Sequence, residues 1–80
     1  MTINIYATKD ELTNRFMAPS YFEDDAIATR QFRSNINNIT LWKENASDFS
    51  LWKLGTYDDA TGTIIGITPE KIIGGRACVE

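Results

Sequence analysis

The 80-residue chain contains no histidine. That absence removes at once the commonest general base, the usual partner of a nucleophilic serine or cysteine, and the commonest metal ligand. Cysteine is nearly absent too. Cys78 stands alone, so no disulfide framework is available, and a single free thiol fits a reducing compartment. Its place three residues from the C-terminus is a poor one for a catalytic nucleophile. Long apolar runs are missing. None approaches the roughly 20 residues a membrane-crossing helix needs, and Met1-Thr2-Ile3-Asn4-Ile5 has neither the basic nor the apolar stretch of a secretory leader. The sequons Asn38-Ile39-Thr40 and Asn45-Ala46-Ser47 are therefore expected to go unused. Basic residues are outnumbered by acidic ones, 8 against 11, for a net charge of −3. This is the wrong sign for strong non-specific nucleic-acid binding, which grows from displaced phosphate counterions. Any such role has to use a local basic patch. These absences predict a protein that is not an enzyme, needs no cofactor or metal, and does not engage a membrane.

A chain of this length is one domain, 1–80, with a thin core. Ile3-Asn4-Ile5-Tyr6-Ala7 is rich in β formers and reads as a first strand. Thr8 to Arg15 is polar and charged and is expected to hold one helical turn after Thr8, with Glu11 placed to close a capping box on it. Phe16 to Phe22 contains Pro19, which forbids a regular helix interior, yet its large apolar side chains need cover. An ordered loop lying on the core satisfies both.

Glu23-Asp24-Asp25 opens the clearest helix, since carboxylates satisfy free N–H groups and suit the positive end of the helix dipole. Capping explains this acidic cluster better than a metal site does. The helix is expected from about residue 24 to Asn37, with Ala28, Phe32, Asn35 and Ile36 on one side, and Asn37-Asn38 as a left-handed stop. A short helical turn or loop follows from Ile39 to Asp48. Phe49–Tyr57 and Thr63–Thr68 read as the arms of a β-hairpin joined by Asp58-Asp59-Ala60-Thr61-Gly62. Aspartate starts turns through its own backbone and glycine supplies positive φ. The aspartates lack the alternating spacing of a calcium loop. Pro69 is expected to end the second arm. Gly74-Gly75-Arg76 lacks the spacing of a phosphate-binding loop, and 74–80 reads as a flexible tail.

Trp42, Trp52, Phe49 and Tyr57 are interleaved with Lys43 and Lys53. This pattern has two readings. The aromatics pack a core or an interface, or they stack on single-stranded bases while the lysines hold phosphates. Arg30 and Arg33 lie within one helical turn, either as a solvated face or as an anion contact.

Two blocks carry a resemblance. Asp25-Ala26-Ile27-Ala28-Thr29-Arg30-Gln31-Phe32, continuing to Ile36-Asn37-Asn38, resembles the helix motif of the small non-structural protein of gokushoviruses, tailless single-stranded-DNA phages of the microvirus group. Asp48-Phe49-Ser50-Leu51-Trp52-Lys53-Leu54-Gly55-Thr56-Tyr57-Asp58-Asp59-Ala60-Thr61-Gly62 is similar to the second block of that family. The order and spacing of the two make the likeness specific. Ile39 to Ser47 and the residues after Ile73 match weakly. The resemblance implies a protein made in the bacterial host cytoplasm, absent from the mature virion, that binds single-stranded DNA during genome synthesis or packaging. The family offers no settled binding residues to carry over.

The expected fold is α+β: a small sheet of three or four strands in β-α-β-β order, with one main helix packed on one face. So small a sheet leaves edges and an apolar face exposed, which predicts a homo-oligomer. Arg30, Arg33, Lys43, Lys53, Trp42 and Trp52 are the candidate nucleic-acid contacts. The alternative is an adaptor that contacts the replication initiator, the procapsid or a host factor and never grips DNA.

Overall fold

The computed structural model describes residues 1–80. Its elements are β1 (Thr2–Asp10), β2 (Arg15–Phe16), β3 (Ser20–Phe22), α1 (Asp25–Asn38), α2 (Thr40–Glu44), β4 (Phe49–Asp58) and β5 (Thr63–Gly74), with 3-10 turns at Ala46–Asp48 and Gly75–Cys78. The class is α+β, with an antiparallel sheet and one main helix. The order differs from β-α-β-β, because two short strands precede the helix. Both lie along the same side of β1, and β4 and β5 continue the sheet on its other side.

The short strands come from Phe16–Phe22, expected as a loop. Phe16 pairs with Lys9, and Ser20, Tyr21 and Phe22 pair with Tyr6, Ile5 and Asn4. Pro19 falls in the gap between them, where no ladder donor is required. The expected helical turn after Thr8 also gives way to pairing. Ladder partners run along β1 as far as Asp10 opposite Phe49, so non-local hydrogen bonds displace the local cap. The chain then reverses over Glu11–Asn14, with Asp10 Oδ1 accepting from the Leu12 N–H at 3.0 Å and Asn14 at φ 56°.

Helix α1 forms as its sequence predicts. Asp24 is the N-cap, extended, with its carboxylate accepting from the Ile27 N–H at 2.8 Å. Ala28, Phe32 and Ile36, four residues apart, are its buried face. Burying a side chain the size of Phe32 or Ile36 stabilises by roughly 1.5–3 kcal/mol. Asn37 and Asn38 are helical and do not supply the expected left-handed stop. Their amides donate back to the carbonyls of Arg33 and Ser34, and the helix ends at Ile39 in an extended conformation. The core joins Tyr6, Ala28, Phe32, Ile36, Ala46, Phe49, Leu51 and Cys78, with Phe22, Trp42, Ile72 and Ile73 packed around it.

Strand β5 does not end at Pro69. It pairs with β4 from Thr63 to Gly66, slips register, and pairs again from Glu70 to Gly74. Ile67, Thr68 and Pro69 stand opposite Leu54 alone, an irregularity on an edge strand that absorbs the missing proline N–H. The residues after Gly74, expected as a tail, fold back. Gly75 is buried, and a Cβ there would meet the Ala46 carbonyl oxygen at 2.2 Å and Ile36 Cδ1 at 2.8 Å. This close approach brings Cys78 into the core.

Candidate functional site

Strand alternation sends Tyr6, Phe49 and Leu51 towards α1 and their neighbours to the other face. Ile5, Tyr6 and Ala7 are all buried, so the middle of β1 is covered on both sides. Only one side is covered by helix. On the helix-free side the chain places four aromatic rings in two pairs. Phe16 meets Trp52 with ring centroids 5.9 Å apart and planes at 86°. Tyr21 meets Tyr57 at 6.1 Å and 64°. Phe16 and Tyr21 remain 41% and 52% exposed, so their rings offer surface to solvent.

The cross-strand register builds this face. Lys9 lies between Phe16 on β2 and Ser50 on β4. Its ammonium sits 5.1 Å from the Trp52 ring centroid and 5.5 Å from that of Phe16, a cation–π geometry. The indole N–H of Trp52 donates to Ser50 Oγ at 2.8 Å, and that hydroxyl donates to Glu11 Oε1 at 2.7 Å. Trp52 is therefore fixed in rotation by a hydrogen-bond chain as well as by its neighbours. Glu11 also approaches Lys9, at 4.0 Å. Lys71 stands opposite Trp52 on β5 and is exposed. Flat aromatic surface held rigid beside cations binds planar π systems by stacking and anions by charge.

The six residues singled out in the sequence do not form one surface. Trp52 is on the helix-free face. Trp42, on α2, stacks on Phe49 at 4.7 Å and 14° and packs against the core on the helix side. It borders an open cleft of about 160 Å³ between α1 and Met17–Ala18, where Gln31 and Asn35 present their amides. Lys43 is exposed on α2, and Arg30 and Arg33 are exposed on α1. Lys53 is half-buried in β4, opposite Tyr6 and Glu70. Lys9, Phe16, Tyr21 and Lys71 escaped the sequence reading. Alternation along β1 was the signal available for Lys9. Phe16 and Tyr21 had none, because their position depends on pairing with a distant strand.

The acidic clusters have structural duties. Asp24 caps α1, and Asp25 accepts a short hydrogen bond from the Tyr6 hydroxyl. Asp58 Oδ1 accepts from the Ala60 N–H at 2.9 Å within the hairpin turn, which closes with Gly62 at φ 73°. Asp59 holds the N-terminal ammonium at 2.7 Å and raises its pKa.

No curated protein and no solved structure matches the chain at a significant level. Residues 3–78 match the family model described as phage ORF5 protein, and the chain belongs to that family.

Proposed function

We propose that this phage protein is a gokushovirus non-structural accessory protein that binds single-stranded DNA during genome synthesis or packaging. The observation that carries the reading is the Phe16–Trp52 pair with Lys9 beside both rings, on a sheet face that no helix covers. Bases stack on Trp52 and Phe16, and on the Tyr21–Tyr57 pair beyond them. Lys9 and Lys71 supply positive charge on β1 and β5, to either side of Trp52, whereas Lys53, opposite Tyr6, lies on the helix side. The net charge of −3 then becomes a matter of distribution, with Asp24, Asp25, Asp58 and Asp59 engaged in caps and turns. In this reading the protein works in the host cytoplasm and is not a component of the mature shell.

Fluorescence anisotropy with a labelled single-stranded oligonucleotide and its duplex, at low and at physiological salt, is the test. The expected result is preference for the single strand, weakening steeply as salt rises. Phe16→Ala and Lys9→Ala are expected to weaken binding alike for all sequences, whereas Arg30→Ala and Arg33→Ala, on the helix layer, serve as the contrast. No binding at low salt, where charge is least screened, overturns the reading. The overall acidic charge favours a second one: an adaptor that contacts the replication initiator, the procapsid or a host factor without touching DNA. It predicts no salt-dependent affinity for any oligonucleotide.

A further inference from the structure

The two edges of the sheet are built differently. One edge is broken into β2 and β3, strands of two and three residues separated by Met17-Ala18-Pro19. Short strands and proline are the usual devices that stop an edge from pairing with another chain. The other edge is β5, and its first half carries none of them. Every residue from Thr63 to Pro69 is exposed, and none is charged. Ile64 and Ile65 are 61% and 60% exposed, and Ile67 is exposed as well. These isoleucines fall on both faces of the strand, so no single layer of this molecule can cover them. The strand is regularly paired to β4 on its inner side from Thr63 to Gly66, which holds it straight and leaves its outer backbone groups free.

We propose that Thr63–Thr68 is a dimerisation edge whose occupant is the same strand of a second copy, running antiparallel about a two-fold axis. Three observations select a second copy of this chain. The segment is uncharged, so juxtaposing two of them brings no like charges together. Antiparallel pairing about a two-fold perpendicular to the sheet is isologous, needing only one surface. It also keeps faces together, and an axis at Gly66 sets Ile65 of each copy against Ile67 of the other, an apolar cross-strand pair of the kind that stabilises sheets. Gly66, with open space around it, lets the strands cross closely at the axis. The pairing stops at Pro69, which has no donor to offer. The sheet thereby becomes continuous across two molecules, with the helix-free faces of both on one side.

The proposal rests on the edge alone and stands or falls apart from DNA binding. Sedimentation equilibrium from nanomolar to high micromolar protein, on the full chain without DNA, is the test. The expected result is a species of twice the 9.0 kDa chain mass that Ile65→Lys converts to monomer at all concentrations. Ile65 is exposed, so the variant is expected to keep its circular dichroism and folded-state thermal transition. A variant that loses them is replaced by Thr68→Lys, which puts a charge on the same edge at the end of the segment. A wild-type protein that remains monomeric at high micromolar concentration overturns the proposal. So does a dimer that survives both substitutions, since it forms through another surface.

Discussion

The indole of Trp52 stands edge-on to the ring of Phe16, 5.9 Å between centroids and 86° between planes, and so ties the long central strand β4 to a strand only two residues long. An aromatic pair of this kind contributes about 0.5–1.5 kcal/mol beyond its area. The tie matters because β2 has little else to hold it.

Phe16→Ala is expected to lower stability by about 1 kcal/mol and to leave Trp52 more exposed. In a Trp42→Phe background, which isolates Trp52, the emission maximum moves to longer wavelength. Emission unchanged by Phe16→Ala shows that the ring does not shield the indole.

Tyr6 is fully buried, and its hydroxyl donates to Asp25 at the start of α1. Burial, reinforced by the hydrogen bond to Asp25, pushes its pKa from 10.0 to about 12. The neutral phenol is thus favoured in the folded state. Its contribution is present in full below pH 10 and is lost as pH rises from about 10 towards 12, on the order of 2 kcal/mol. Tyr6→Phe is expected to cost about 1 kcal/mol at neutral pH through the lost hydrogen bond. It also removes this alkaline decline. Denaturant unfolding of both proteins between neutral pH and pH 12 measures the difference. Parallel curves for the two show that another group titrates.

Gly55 and Gly62 separate two reasons for glycine. A Cβ at Gly55 would lie 2.2 Å from the Ile65 carbonyl oxygen, whereas at Gly62 nothing lies near but φ is +73°. Gly55→Ala must push β5 off β4 and is expected to cost about 1–3 kcal/mol or more. Gly62→Ala is strained only in its backbone and is expected to cost about 1 kcal/mol. Thermal unfolding of the two variants ranks them, and the reverse order shows that the β4–β5 approach relaxes easily.

Elements that depend on near neighbours were legible in the sequence. Asp24, with the Ala28–Phe32–Ile36 spacing, marked α1 within a residue or two, and Asp58 to Gly62 marked the hairpin turn. The misplaced parts depend on distant partners. Thr8 to Asp10 looks helical alone but is held as strand by Leu51 to Phe49. Phe16 to Phe22 looks like a loop until β1 offers an edge. Pro69 stops a strand only where an N–H is needed, and on an edge none is. The candidate site divides the same way. Trp52 was visible as an aromatic in a strand, but its partners Lys9 and Phe16 meet it only through the register of three strands. Trp42 has the same composition around it, yet packs on Phe49 because α2 returns to the core.

Cys78 reports on how firmly the C-terminal turn is seated. Its thiol is buried, lies 3.8 Å from the Gly74 carbonyl oxygen, and has its pKa raised by burial, with Arg33 opposing the shift. A thiol reagent therefore needs an opening event before it reacts. Asn37 holds this turn on both sides. Its amide nitrogen donates to the Cys78 carbonyl at 2.8 Å, and its amide oxygen accepts from the Glu80 N–H at 2.9 Å. Asn37→Ala removes both bonds without touching the core. Cys78 labelling is expected to accelerate about tenfold, corresponding to about 1.4 kcal/mol, with little change in the global unfolding midpoint. That pattern identifies local opening of Gly75–Cys78 as the path to the thiol. Labelling that speeds up only in step with a lowered midpoint shows instead that Cys78 is released by unfolding of the whole domain.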